Sequence, residues 1–192
     1  MKLDPDALRG GNERQRAAIA VLDELDIFDW LAAYCPVLAG TIPLAIDIAG
    51  SDLDVLCEVY DFDRFASFLA SEYGEYSEFT MRAIQGKYGP VAFESSLRHR
   101  DFVVECFGEP LPVNEQRGYR HMVVEARLLD IGGEPLRETI IALKESGLKT
   151  EPAFARLLGL AGDPYEALLE LETWSDEKLR RLIDDFAKAH GG

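Results

Sequence analysis

Basic residues are scarce in this chain: 20 Lys and Arg stand against 35 Asp and Glu, a formal net charge of −15. A protein that grips a nucleic-acid backbone needs a basic face to displace counterions. No basic run is longer than the short Arg98-His99-Arg100 cluster, and the overall field repels polyanions. A nucleic-acid partner is therefore not expected. Cysteine is rare too, with an odd count of three and no Cys-x-x-Cys pair. Cys57 and Cys106 fall inside apolar runs, where a thiol packs as a small hydrophobe. That rules out a disulfide framework and points to a reduced, cytoplasmic protein. The three histidines, His99, His121 and His190, lack metal-ligand spacing, which excludes a zinc site. No apolar run approaches the ~18 residues of a membrane helix. Nor does the N-terminal Met-Lys-Leu-Asp-Pro-Asp carry the apolar core of a secretory signal.

Familiar phosphate motifs are missing as well. Gly10-Gly11-Asn12 lacks the lysine of a Walker loop and reads as a turn followed by a helix cap. His99-Arg100-Asp101 spells the kinase catalytic-loop tripeptide. Neither a Gly-x-Gly-x-x-Gly loop nor Asp-Phe-Gly accompanies it.

What is present is enough chain, 192 residues, for one core with a helical appendage. Asn12 caps a helix whose stripe is Ala17, Ala18, Ile19, Val21, Leu22 and Leu25, running loosely on to Trp30 and Leu31. Pro36 stops helical structure, and Val37-Leu38 begins a strand. A single helical turn follows Gly40-Thr41, before Gly50-Ser51 breaks into an acidic strand. Phe62 to Glu72 reads as a helix with Phe65, Phe68 and Leu69 inward. Strand candidates are Ser77–Ile84, Tyr88–Phe93 and Asp101–Phe107, separated by polar or glycine-rich turns. From Val113 the spacing turns helical, through Met122, Val123, Ala126 and Leu129 and again over Leu136 to Glu145. Asp163-Pro164 and Ser175-Asp176 are further helix starts. The expected architecture is α/β (α+β): a mixed sheet with flanking helices over residues 1–112, then a helical region, 113–192, packed with it as one structural unit.

The chemistry concentrates at Asp52-Leu53-Asp54-Val55. Alternate side chains of a strand share a face, so Asp52 and Asp54 project together while Leu53, Val55 and Cys57 point away. Two like charges so close repel, and a divalent cation between them relieves the repulsion. A second apolar run, Asp101 to Phe107, places Glu105 on one face with Val103 and Phe107. If the two strands adjoin, Glu105 becomes a third oxygen ligand, with Asp101 on the same face as its rival. Such a set suits Mg²⁺, with Mn²⁺ as the alternative ion.

Ala39-Gly40-Thr41, then residues 42–51, then Asp52-Leu53-Asp54-Val55, with the lone Glu105 on a later strand, resembles the polymerase-beta-like nucleotidyltransferase superfamily. The sequence is also similar to an uncharacterised bacterial family grouped with it, over most of the chain. The resemblance implies a nucleotidyltransferase-like fold and transfer of a nucleotidyl group from a nucleoside triphosphate. It implies that Gly40 lets the backbone approach a phosphate and that Thr41 offers its hydroxyl and amide. Asp52 and Asp54 would hold the metal, and Glu105 would help activate the acceptor hydroxyl. Ser51 joins Gly40 and Thr41 in the expected nucleotide-binding set, and His121 and Lys149 complete it. The net charge favours a small-molecule or protein acceptor, a cationic compound suiting the field best.

The chain departs from the pattern in two places. Thr41 stands where serine is usual, which keeps the hydroxyl. Between Thr41 and Asp54 there is no cation at all, and the segment Ile42 to Ala49 is apolar apart from Asp47. His121, with Arg117 and Arg120 on a helix, is a candidate replacement cation; alternatively it is a half-buried, hydrogen-bonded ring. Lys149 is another candidate, unless it only precedes a helix that Thr150 caps and Glu151 and Pro152 begin. The cation-poor loop motivates a reading of another class, a non-catalytic nucleotide-sensing or protein-binding module. A metal-dependent phosphohydrolase using the same acids is a third reading.

Overall fold

The structure is a computed structural model that describes residues 5–85 and 91–190. It divides into two compact units, one made by residues up to Ala45 with Ala49–Tyr119, the other by Ile46–Ile48 with the chain from Arg120 onward. The division falls inside a helix rather than at 112/113, and the short Ile46–Ile48 segment belongs with the later unit.

The first unit is built on a five-stranded mixed sheet, β1 (Val37–Ala39), β2 (Leu53–Glu58), β3 (Ser77–Gln85), β4 (Val91–His99) and β5 (Phe102–Glu109). Their spatial order is β1-β2-β5-β4-β3. Only β2 and β5 run parallel; the other neighbours are antiparallel. The helices α1 (Pro5–Leu8), α2 (Glu13–Glu24), α3 (Ile27–Trp30) and α4 (Phe62–Tyr73) belong to this unit.

Local chemistry explains these elements. Asn12 accepts a bond from the Gln15 amide while the Gln15 side chain returns one to the Asn12 N–H, a reciprocal cap that starts α2. Asp61 caps α4 by accepting from the Arg64 N–H at 3.0 Å. The apolar faces of α2 and α4 meet the sheet face carrying Leu53, Val55, Cys57, Val104 and Cys106 in one core. There Tyr73, buried to its hydroxyl, donates to the Leu25 carbonyl at 3.1 Å. All three cysteines are free thiols, Cys57 and Cys106 buried and Cys35 exposed.

Five details differ from the sequence reading. Ala17 faces solvent on α2, and Trp30 is 42% exposed although Leu31 is fully buried. Asp52 lies one residue ahead of β2. Of the strand expected over Tyr88–Phe93, residues 88–90 lie outside the described residues, and the observed β4, Val91–His99, runs past Phe93. Its second half, Glu94 to His99, is polar on one face and was hidden by composition. Phe102, not Asp101, opens β5.

The second unit is helical: most of α5 (Arg117–Glu145), then α6 (Thr150–Leu158), α7 (Pro164–Glu170) and α8 (Asp176–His190). Gly133, at φ 64°, interrupts α5, with Pro135 two residues on; both supply the usual causes of a sharp kink. Asp163 caps α7, with Pro164 in its first turn. At α6 the capping position is Lys149 and Thr150 is the first helical residue, so no side chain caps this end. Among the described residues, the interior of this unit holds three charged or titratable side chains, His121, Glu125 and Lys144, each at 5% exposure or less. Lys144 Nζ donates to the Ile46 carbonyl at 2.6 Å. Among the described residues, no helix is long and apolar enough to cross a membrane.

Candidate active site

Register brings two of the predicted acids, Asp54 and Glu105, side by side. Ala39 on β1 is opposite Asp54 on β2, and Asp54 is opposite Glu105 on β5. Adjacent strands lie about 4.8 Å apart and opposed residues share a face. On β5 the burial alternates, with Val103, Glu105 and Phe107 half-buried and Val104 and Cys106 in the core. The face of the acids is thus the one turned away from that core.

The acids also act on one another through charge. The Glu105 carboxyl is pushed up to about 7, first by burial, then by Asp52, Asp54 and Glu94, with Arg82 partly offsetting them. A carboxyl that feels both aspartates is one whose proton a nearby cation would displace. Asp101 sits exposed in the turn before β5; the register therefore gives the position beside Asp54 to Glu105.

Gly40 closes the other side. Its φ is +78°, and a Cβ placed there would lie 2.1 Å from Asp54 Oδ2. Only glycine satisfies both the left-handed backbone and that approach. The loop that follows is held at its ends. The Thr41 hydroxyl reaches the Ser51 hydroxyl at 3.5 Å. Gln15 Nε2 donates to the carbonyls of Ile42 at 2.9 Å and Pro43 at 3.3 Å. The expected helical turn is one hydrogen-bonded turn, Ala45 N–H to the Ile42 carbonyl at 3.0 Å. Its apolar composition has a plain cause, since Ile42 and Leu44 are buried.

His121 and Lys149 belong to the other unit. The His121 ring is turned inward, with Nε2 at 2.9 Å from the Tyr165 carbonyl and Nδ1 at 3.6 Å from Glu151. That is the hydrogen-bonded-ring alternative, not a side chain offered to a phosphate. Arg120 is ion-paired with Glu172 at 2.6 Å. Lys149 is exposed.

Sequence reasoning missed the polar side chains that extend the acid face. Ser96 is opposite Glu105, Thr80 is opposite Ser96, and Arg82 is opposite Glu94. Arg98, ion-paired to Glu78 at 2.8 Å, also feels the charge of Asp52. The alternation Phe93-Glu94-Ser95-Ser96-Leu97-Arg98 carried the signal, with Phe93, Ser95 and Leu97 buried.

Among the described residues, no three His, Cys, Asp or Glu side chains stand close enough together to grip a metal ion. The donor chemistry nonetheless fits Mg²⁺, a hard ion that binds through one or two carboxylates and keeps several waters. The mutual repulsion recorded at Glu105 is what such a cation would neutralise.

The fold is nucleotidyltransferase-like. A structure of the GLD-2/RNP-8 complex superposes with a TM-score of 0.55 at 10% identity, covering 97% of this chain and 84% of that one. Cid1, described by its RNA terminal uridylyl transferase activity, gives 0.50 at 12% identity, covering 80% and 46%. The chain thus spans less than half the length of Cid1. At such identities the likeness is one of fold. Residues 20–171 match the family described as a domain of unknown function, DUF4269, and the chain belongs to that family. No curated protein matches the sequence.

Proposed function

We propose that this chain is a Mg²⁺-dependent nucleotidyltransferase that moves a nucleotidyl group from a nucleoside triphosphate to a small-molecule or protein acceptor. The observation that carries the reading is the β1-β2-β5 register, which lines up Gly40's neighbour Ala39, Asp54 and Glu105 in one row. Asp52, Asp54 and Glu105 are the residues that would hold the metal, with Mn²⁺ as an alternative. When bound, the ion would neutralise charge on the triphosphate.

The chain's own groups supply the rest. The Gly40-Thr41 turn and Ser51 offer backbone and hydroxyl donors to the phosphates. Glu105 takes the proton of the acceptor hydroxyl as its oxygen attacks the α-phosphorus. The bond from that phosphorus to the bridging oxygen breaks, and pyrophosphate leaves. Positioning and charge compensation account for most of the rate. Lys149, exposed ahead of α6, belongs to the other unit and is not part of the proposed site. His121 is not carried into the proposal, because its ring is engaged inside its unit. A net charge of −15 argues against RNA or DNA as acceptor and for a small molecule or protein, and the free cysteines suit a reaction in the cytoplasm.

One observation favours a second reading. No cation lies between Thr41 and Asp54, as suits a module that senses a nucleotide or binds a partner without turnover. Thermal melts with each of the four ribonucleoside triphosphates, in Mg²⁺, Mn²⁺ or EDTA, separate the readings. A metal-dependent rise that Asp52→Asn/Asp54→Asn abolishes supports the site. Such a rise without pyrophosphate release indicates a sensor. No rise with any triphosphate sinks the transferase.

A further inference from the structure

Beyond Glu105 the sheet face continues as an ordered polar surface, all of it in the first unit. The row that starts at Asp54 and Glu105 runs on through Ser96 and Thr80. The Ser96 and Thr80 hydroxyls are hydrogen-bonded to each other at 2.9 Å. Two ion pairs flank that hydroxyl pair along the strands. Arg82 binds Glu94 at 2.6 Å on one side, and Arg98 binds Glu78 at 2.8 Å on the other. Thr80, Arg82 and Arg98 are exposed, while Ser96 and Glu94 are half-buried.

The charges in this patch cancel, Arg82 against Glu94 and Arg98 against Glu78. A compensated pair exerts little net pull on a charged ligand. It still presents guanidinium N–H donors and carboxylate acceptors in fixed directions. With two hydroxyls between them, such pairs match a ligand that is neutral and rich in hydroxyl groups. The row also ends at Glu105, where the transferase reading needs an acceptor hydroxyl to arrive.

We propose that Ser96, Thr80, Arg82 and Glu94 form the acceptor subsite, and that the acceptor is a neutral polyhydroxylated compound, a sugar or cyclic polyol. This rests on the nucleotidyltransferase reading for its catalytic consequence, though not for binding itself. Ser96 and Thr80 hold a ring hydroxyl pair, the Arg82–Glu94 pair brackets a second, and one hydroxyl is left facing Glu105. Its oxygen forms the new bond to the α-phosphorus, its proton passes to Glu105, and pyrophosphate is the leaving group.

The test uses one scaffold in three charge states: D-glucose, D-glucosamine and glucose 6-phosphate, with D-ribose and myo-inositol as further neutral probes. Pyrophosphate release is followed in wild type, Ser96→Ala and Thr80→Val, each with Mg²⁺ and the triphosphate selected by thermal melt. The expected result is stimulation by a neutral probe above both charged counterparts. The acceptor KM should rise at least tenfold in either variant, with the nucleotide KM unchanged. A charged counterpart that outperforms the neutral probe overturns the proposal, as does an acceptor KM that neither variant moves. Saturation-transfer NMR of the same probes, without nucleotide, separates this failure from failure of the transferase. Neutral-probe binding lost in Ser96→Ala upholds the subsite even where no pyrophosphate appears. Absence of binding by every neutral probe, with and without nucleotide, removes it.

Discussion

Gly40 and Asp54 compete for one volume: a methyl group on Gly40 would sit 2.1 Å from the Asp54 carboxylate oxygen. The strand pairing makes this unavoidable, because Ala39, the residue before Gly40, is opposite Asp54. The glycine and the acid are therefore one feature, although residues 42–51 and more separate them in sequence.

Gly40→Ala should accordingly harm the site more than the fold. The φ of +78° costs an L-residue roughly 1–2 kcal/mol, and the Asp54 carboxylate must move. The expected outcome is a modest drop in melting temperature with complete loss of the Mg²⁺-nucleotide shift. A full nucleotide shift in a variant of normal stability would refute it.

Asp54→Asn should lower turnover by about a hundredfold or more, as loss of a charge at a reacting phosphate does. The circular dichroism melt should stay close to wild type, since Asp54 is on the half-exposed side of β2. Unimpaired pyrophosphate release would end the catalytic assignment.

Metal affinity should depend on pH around neutrality. With Glu105 pushed up to about 7, protons compete with the cation below that pH and cease to compete above it. Titration with Mn²⁺, read by electron paramagnetic resonance, should show weaker binding at pH 6 than at pH 8. Equal affinity at both would show that Glu105 is not part of the metal's surroundings.

The helical unit carries its own pH signature. Burial, then Glu151, pushes the Glu125 carboxyl up to about 8, with Lys144 pulling it back. Its folded pKa lies above its unfolded value, so the folded state holds a proton that the unfolded state releases. Stability therefore falls as pH rises from the ordinary glutamate range toward 8, at about 1.4 kcal/mol per unit of displacement. Glu125→Gln should flatten that decline, giving a higher melting temperature than wild type at pH 8. A steeper decline in the variant would contradict the sign.

The acids were legible because a strand's two-residue period announces itself even in a single sequence. Asp52, Asp54 and Glu105 all follow from apolar alternation. Which strand lies beside which was not legible, since pairing joins residues 54 and 105 through a parallel register that no local pattern encodes. Ser96 escaped notice, and Arg98 was seen only as part of a short basic run, for a related reason. On a strand with one polar face, they read as turn residues until Phe93, Ser95 and Leu97 are seen to be buried. His121 carried two readings, a phosphate-facing cation and a hydrogen-bonded ring, and its spacing could not choose between them. Its helical neighbours Arg117 and Arg120 suggested a basic face, yet the ring turns to Tyr165.

The Gln15 side chain serves three backbone groups at once. Its oxygen accepts the Asn12 N–H, and its nitrogen donates to the carbonyls of Ile42 and Pro43. Opening the first turn of α2 releases the loop after Thr41, and opening that loop frays the helix. Amide hydrogens at the two places should then exchange with deuterium as one kinetic group, though some thirty positions apart in the chain.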